Sequence, residues 1–128
     1  MKIRIQGNSI RLRLSQSEVK TFHETGAVQD QISFGVAPDD VLTYALKRID
    51  IPDISAFFAQ NQITVQVPPE KAIAWATSEK QIGMEHLMRH SSGENGALRI
   101  LIEKDFKCLA DRPEEDESDN FPNPNLSC

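Results

Sequence analysis

The chain has 128 residues, a formal net charge of −5, and ordinary fractions of hydrophobic (39%) and charged (26%) residues, as expected for one globular domain. No apolar run is long enough to span a bilayer, and the basic start MKIRIQGNS is not followed by the apolar stretch of a signal peptide. The composition therefore predicts a cytoplasmic protein that does not enter a membrane. With one Tyr, one Trp and no basic excess, nucleic-acid binding is disfavoured as well.

The first predicted element is a β-hairpin at the N-terminus. Apolar and polar residues alternate in Lys2–Gln6 and again in residues 10–14, which is the period of a half-buried strand. Gly7-Asn8 between them is a turn pair typical of hairpins. The hairpin should therefore have one apolar face and one cationic face.

A capping box follows this hairpin directly. Ser15 and Glu18 have the S-x-x-E spacing in which each residue satisfies a free backbone N–H of the other. The pattern predicts a helix from Gln16 to about Glu24, and Gly26 is placed to end it.

The remaining elements complete an α+β chain with more strands than helices. Residues 41–49 fit a strand better than a helix, and residues 81–88 fit either. Further strands are predicted at 28–34, 54–58, 62–67 and 98–105, and a second helix at 70–77 behind Pro68-Pro69. Tight turns between neighbours predict a mainly antiparallel, strongly curved sheet or partial barrel, with two helices packed on it or at one end. No internal repeat is apparent.

The net negative charge belongs to the C-terminus. Residues 111–128 contain six acidic residues and one basic residue, whereas residues 1–110 are neutral. We therefore predict a single α+β domain over 1–110 and an acidic, proline-containing, extended tail over 111–128. A tail docked on the body through Phe121 and a tail that stays solvated are both open at this point. Cys108 and Cys128 are expected to be free thiols in a reducing compartment, with a bridge between them as the alternative.

The main candidate site is a strip of basic residues on the polar face of the predicted sheet. Arginine on a sheet suits bidentate recognition of phosphate or carboxylate, and an acidic neighbour, Glu103, could add a metal ligand. The competing interpretation is a solvated sheet face that only confers solubility. A third is a basic face that receives the acidic tail as a clasp. The strip comprises Lys2, Arg4, Arg11, Arg13 and Arg99.

A family resemblance rests on the two ends of the chain. The start MKIRIQGNSIRLRL and the end ILIEKDFKCL, followed by FPNP, resemble a family of short uncharacterised bacterial proteins that carry a domain of unknown function. The resemblance implies a single domain of about this length. It implies no particular chemistry.

The alternation of basic and acidic strand residues also resembles the triphosphate-tunnel (CYTH-like) hydrolases. This likeness implies phosphate ligation by the basic strip and a divalent metal such as Mg²⁺ on Glu103. The E-x-E-x-K signature of that group is absent from the first strands, which contain no acid, and Ile102-Glu103-Lys104 is only a fragment of it.

A histidine pair is the weaker metal candidate. Glu85-His86-x-x-x-His90 would place two imidazoles one turn apart on a helix, with Cys108 or Cys128 as a third ligand. The spacing matches no standard zinc site, so surface histidines are the better interpretation.

The sequence does not specify a reaction. It predicts a cytoplasmic binding or interaction domain without a cofactor, whose basic sheet face takes a protein or an anionic small molecule. The alternative is a tunnel-type phosphohydrolase, or a phosphate-ligand-binding protein, that uses Mg²⁺.

Overall fold

The computed structural model describes residues 1–93, 96–107 and 116–122. In chain order, the elements are β1 (Lys2–Gln6), β2 (Ser9–Leu14), α1 (Gln16–Thr25), β3 (Ala27–Ser33), a short 3₁₀ turn (Pro38–Asp40), β4 (Val41–Arg48), β5 (Ser55–Ala59), β6 (Gln62–Val67), α2 (Pro69–Thr77), β7 (Gly83–Arg89) and β8 (Ala97–Lys104). Both helices and the N-terminal hairpin lie where the sequence predicts them. The strand preferred for residues 41–49 is confirmed as β4, and the undecided segment of residues 81–88 is the strand β7.

The strands form two four-stranded sheets. Sheet 1 has the order β1-β2-β8-β7, and sheet 2 has the order β3-β4-β6-β5. Each sheet consists of two antiparallel hairpins joined by one parallel pairing, β2 with β8 or β4 with β6. The expectation of a mainly antiparallel α+β fold with two helices is confirmed. The single strongly curved sheet is replaced by two sheets, and the described strands show neither a closed barrel nor a strong curl.

The chain contains an internal structural repeat that the sequence did not reveal. Residues 2–48 form a hairpin, a helix and a second hairpin, and residues 55–104 form the same series. The pairing of β1 with β2 has the register of β5 with β6, and that of β3 with β4 has the register of β7 with β8. Each half gives one hairpin to each sheet. The two halves are thus related by an approximate twofold arrangement.

Individual backbone hydrogen bonds also have equivalents in the two halves. Arg48 N donates to Gly26 O at 2.8 Å in the first half, and Lys104 N donates to Ile82 O at 3.0 Å in the second. Arg48 and Lys104 are therefore equivalent positions, each at the end of the last strand of its half.

The core lies between the sheets and the helices. Inward residues of the two central strands of each sheet meet one buried face of each helix. Phe22 of α1 and Trp75 of α2 occupy equivalent positions, and their rings meet edge to face with centroids 6.2 Å apart. The indole N–H of Trp75 donates to Ile82 O at 3.1 Å, which satisfies its one polar group. This pair joins the two halves at the centre of the molecule.

The two halves differ in how each helix reaches the next strand. After α1 the link is Gly26 alone, at φ +84°, a left-handed conformation that glycine adopts at little cost and that ends the helix as predicted. After α2 the link is longer and comprises residues 78–82. The second half therefore carries an additional loop beside the end of β8.

Part of the C-terminal segment packs on the body. Phe121 forms an isolated bridge with Phe106, and its N–H donates to Asp105 O at 2.8 Å. The rings of Phe106 and Phe121 lie 5.9 Å apart. Phe121 is thus held against the body, the first of the two alternatives that the sequence left open. Residues 108–115 and 123–128, which include both cysteines, lie outside the described part of the chain.

The same segment contacts the start of α1. Gln16 N donates to Asp119 O at 2.9 Å, and the N–H and hydroxyl of Ser17 donate to the Asp119 carboxylate. A carboxylate at the first turn of a helix is favourable because the free N–H groups there carry partial positive charge. We call residues 116–122 the strap, since they connect this helix end to the end of β8.

Replacing Asp119 by alanine is expected to loosen the strap. Hydrogen bonds from Ser17 and Ser15 hold the pKa of Asp119 below its usual range. The folded pKa is thus below the unfolded one, so this contact stabilises the fold above the ordinary carboxyl pKa and is lost as pH falls through the folded value. Amide hydrogen exchange at Ser17 and in the strap should accelerate in Asp119→Ala. In the parent chain, the protection factors of the same amides, which correct for the slower intrinsic exchange in acid, should fall on acidification.

Asp116→Ala is the matched control for this change. Asp116 is in the same strap, but the hydrogen bond recorded for its carboxylate comes from Ser118 in the strap itself. Exchange at Ser17 should therefore keep the parent rate in this variant. Equal acceleration in both variants would show that Asp119 does not hold the strap in place.

Candidate functional site

The predicted basic strip lies on one face of sheet 1. Alternate residues of a strand point to opposite faces, and Ile10 and Leu12 of β2 point into the core. The register places the five predicted residues together on the other face, with Arg89 of β7 and two acids, Glu85 and Glu103, also there. We call this surface the cationic face; its basic members are Lys2, Arg4, Arg11, Arg13, Arg89 and Arg99.

Both acids on this face are paired with arginine. Arg11 Nε lies 2.9 Å from Glu103 Oε1, and Arg99 Nε lies 2.7 Å from Glu85 Oε1. Glu103, the predicted metal ligand, therefore has an arginine as its neighbour. Within residues 1–93, 96–107 and 116–122, no group of three or more His, Cys, Asp or Glu side chains is arranged to hold a metal ion.

Three arginines on the cationic face have no acidic partner among the described residues. They are Arg4, Arg13 and Arg89. Within the described part of the chain, the one hydrogen bond from the Arg4 side chain runs from Nη2 to Gln6 Oε1, at 3.2 Å. These guanidinium groups keep most of their donors available for a ligand.

Like charges face each other directly across the N-terminal hairpin. Lys2 is opposite Arg13, and Arg4 is opposite Arg11. Side chains at such positions are about 5 Å apart at their Cβ atoms, and like charges there are destabilising. Two adjacent like-charge pairs are therefore part of the cationic face. In each pair one member has an acidic neighbour that offsets part of the repulsion, Asp105 beside Lys2 at 2.8 Å and Glu103 beside Arg11 at 2.9 Å.

The equivalent hairpin of sheet 2, β5 with β6, carries no such charges on this face. Ser55 is opposite Gln66 where sheet 1 has Lys2 and Arg13, and Phe57 is opposite Thr64 where sheet 1 has Arg4 and Arg11. Ser55 and Gln66 are joined by a hydrogen bond of 3.1 Å. The same backbone is thus built with neutral residues, so the fold itself does not require the basic ones.

The two histidines of the weaker metal candidate have separate neighbours. Strand geometry places Glu85 and His86 on opposite faces of sheet 1. His86 Nδ1 lies 3.6 Å from Asp53 Oδ1, whereas His90 Nδ1 lies 3.2 Å from the Ser91 hydroxyl. The segment is a strand followed by a loop, which agrees with the interpretation of surface histidines.

A second feature, which the sequence reading missed, is a pocket of about 760 Å³ around Lys104. The alternation that turns Ile100 and Ile102 inward also turns Lys104 inward, so the signal was present in the strand pattern. The pocket lies between the end of α2, the loop of residues 78–82, the end of β8 and the strap. Lys104 is only 6% exposed.

In the part of the chain that the structure describes, no helix combines the length and apolar character needed to cross a membrane.

Comparison with known proteins places the chain in one family. Neither the curated proteins nor the solved structures contain a match to it. The model of a family of unknown function, DUF7009, matches residues 1–125, which include both chain ends that carry the resemblance described above. The chain therefore belongs to the DUF7009 family of unknown function.

Proposed function

We propose that the protein is a cytoplasmic, non-enzymatic binding domain whose cationic face takes an anionic partner. The observation that carries this proposal is the pair of like-charge positions across the N-terminal hairpin, Lys2 with Arg13 and Arg4 with Arg11. Lys2 and Arg11 each lie beside one acid, whereas Arg4 and Arg13 have no acidic partner among the described residues. Two unit charges about 4 Å apart repel by about 1 kcal/mol in water, and by more where the solvent is partly excluded. A bound anion turns this repulsion into attraction.

The spacing of the four charges favours an extended anion with several charged groups. Alternate residues of a strand are about 7 Å apart, and neighbouring strands are about 5 Å apart. Lys2, Arg4, Arg11 and Arg13 therefore form a rectangular grid rather than a cradle around one small ion. Such a grid suits a chain of phosphates or a row of carboxylates on an acidic protein.

A tunnel-type phosphohydrolase remains the alternative proposal. Its phosphate ligands must lie on one face of a sheet, and the register of sheet 1 meets that condition. Glu103 would have to leave Arg11 in order to hold Mg²⁺, and a tunnel would require the sheets to curve around the ligand. A binding domain needs neither change and is therefore preferred.

Tripolyphosphate is expected to stabilise the protein through the cationic face. A ligand at about a hundredfold its dissociation constant adds roughly 2.7 kcal/mol, which corresponds to roughly 10 °C in the melting temperature of a domain of this size. The double variant Arg4→Gln/Arg13→Gln should lose this shift, and without ligand it should be as stable as the parent or slightly more so. Thermal melts with and without ligand measure both effects.

Lys47→Gln is the matched control, because Lys47 lies on the corresponding face of sheet 2, opposite Gln66 across the parallel pairing. It should keep the full shift. Arg11 is a less suitable target, since its removal leaves Glu103 without its partner.

Poly-glutamate in place of tripolyphosphate tests the acidic-protein form of the proposal, and release of phosphate with Mg²⁺ would support the alternative. If neither tripolyphosphate nor poly-glutamate raises the melting temperature at millimolar concentrations of charged groups, the proposal is wrong.

A further inference from the structure

The pocket around Lys104 exists because the two halves of the repeat differ. In the first half, Gly26 alone connects α1 to β3, and the guanidinium of Arg48 donates to His23 O at the end of that helix, at 2.8 Å. In the second half, residues 78–82 and the strap surround the equivalent Lys104. The additional loop thus encloses a side chain that is accessible in the other half.

Lys104 is a buried ammonium group without a counter-ion among the described residues. Its Nζ donates to Ser78 O at the end of α2 and lies 5.8 Å from the ring centroid of Trp75 and 5.6 Å from that of Phe121. The neighbouring acid, Asp105, is 2.8 Å from Lys2. An ammonium has three N–H donors and one is used here, so two donors and a full charge remain.

We propose that this pocket is a second binding site, which takes a small molecule with one carboxylate and an apolar body. The carboxylate pairs with Lys104, and the apolar body packs against Ile82, Phe106 and Phe121, which line the same pocket. A buried charge is costly unless it is paired, and a carboxylate provides both a counter-charge and hydrogen-bond acceptors. A volume of about 760 Å³ is within the range of small-molecule sites.

The composition of the pocket favours a single carboxylate over a phosphate group. Among the described residues that line the pocket, Lys104 is the one enclosed cation, and much of the remaining lining is apolar. The cations that could hold several negative charges are on the cationic face of sheet 1. Lys80 at the rim is exposed and is accompanied by Glu79, so it adds little attraction for an anion.

A purely structural role accounts for only part of this arrangement. A cation near a helix C-terminus is favourable, and both Lys104 and Arg48 donate to a carbonyl at the end of their helix. That role explains the bond to Ser78 O. The two aromatic rings add cation–π stabilisation. Neither contact explains the empty volume beside Lys104, or why no described acid lies within ion-pair distance of its ammonium group.

Burial lowers the pKa of Lys104. An anion in the pocket reverses this effect because it stabilises the charged form. Binding of a carboxylate should therefore raise the pKa of the Lys104 ammonium group, and NMR of its side chain can follow the change without any substitution.

The probe pair is 3-phenylpropionate and its neutral isostere 3-phenylpropanamide, measured by calorimetry on the full chain. The acid should bind at least about tenfold more tightly than the amide, because only the acid pairs with Lys104. Lys104→Met should reduce the affinity for the acid by at least about tenfold and leave that for the amide largely unchanged. Lys80→Gln, the matched rim control, should bind the acid as the parent does.

Several outcomes would overturn this proposal. They are equal affinity for acid and amide, undiminished binding by Lys104→Met, or a Lys104 pKa that does not rise when 3-phenylpropionate is added. The pKa measurement uses the parent protein and decides the matter even if Lys104→Met does not fold. Arg4→Gln/Arg13→Gln should bind 3-phenylpropionate normally, so failure of the cationic-face proposal would leave this one unaffected.

Discussion

Replacing Trp75 by alanine is expected to lower the free energy of unfolding by about 3–5 kcal/mol, a large part of the stability of a domain this size. The side chain is fully buried, packs on Phe22, and fills the space where the two halves of the repeat meet. The change removes this apolar area, leaves a cavity and takes away the donor to Ile82 O. Urea unfolding followed by far-UV circular dichroism measures the loss, since the variant has no tryptophan left for fluorescence.

Two further variants make this result specific. Ile73→Ala removes an apolar side chain from the same helix at a position that is 45% exposed, and should cost much less. Trp75→Phe keeps a ring like that of its counterpart Phe22 and should recover part of the stability. If Trp75→Ala and Ile73→Ala were equally mild, the helix would not be anchored through the tryptophan.

Leu12→Ala is expected to cost about 2–5 kcal/mol. Leu12 is completely buried on β2, the strand that joins the N-terminal hairpin to β8, with Ile3 on one side and Ile102 on the other. The strands on both sides are held in register, so the site can collapse only slightly around the cavity. The midpoint of urea unfolding should therefore fall with little change in its slope.

Ile5→Ala is the control for Leu12→Ala. Ile5 lies on the neighbouring strand and points to the same face, but it is 60% exposed. It should change stability by no more than about 1 kcal/mol. A large loss at Ile5, or a negligible loss at Leu12, would contradict the assignment of this face to the core.

Local signals in the sequence were sufficient for the elements whose pairing is local. Strict alternation with a Gly7-Asn8 turn indicates a hairpin, and Ser15 with Glu18 and Gly26 marks both ends of α1. Residues 81–88 remained ambiguous, and residues 41–49 gave only a preference for a strand, because a short apolar run fits either period. Both became strands once they had a partner across a sheet.

The arrangement of the sheets depends on contacts between distant residues, which no local sequence pattern indicates. The parallel pairings of β2 with β8 and of β4 with β6 join strands from different halves. The repeat is hidden because equivalent strands share only apolar positions, such as Leu12 with Val65, whereas their outward residues differ entirely. Those outward residues are the ones that distinguish the cationic face from the neutral one.

For the candidate sites, too, local sequence patterns predict some features, whereas others depend on contacts between distant residues. The shared face of Lys2, Arg4, Arg11 and Arg13 could be predicted, because two adjacent strands with a known turn define it. The enclosure of Lys104 could not, since it depends on the loop of residues 78–82 and on the strap, which meet β8 only in the folded protein. Alternation alone placed the lysine inward without showing what surrounds it.

The sharing of both sheets by both halves has a consequence for folding and assembly. Neither half contains a complete sheet, so residues far apart in the chain must meet before either sheet is formed, and a fold of such high contact order is expected to form slowly. The peptide segment of residues 49–54 connects the two halves along the chain. If it opens, two molecules can exchange halves and rebuild every native contact between chains, which makes this connection the natural hinge for a domain-swapped dimer.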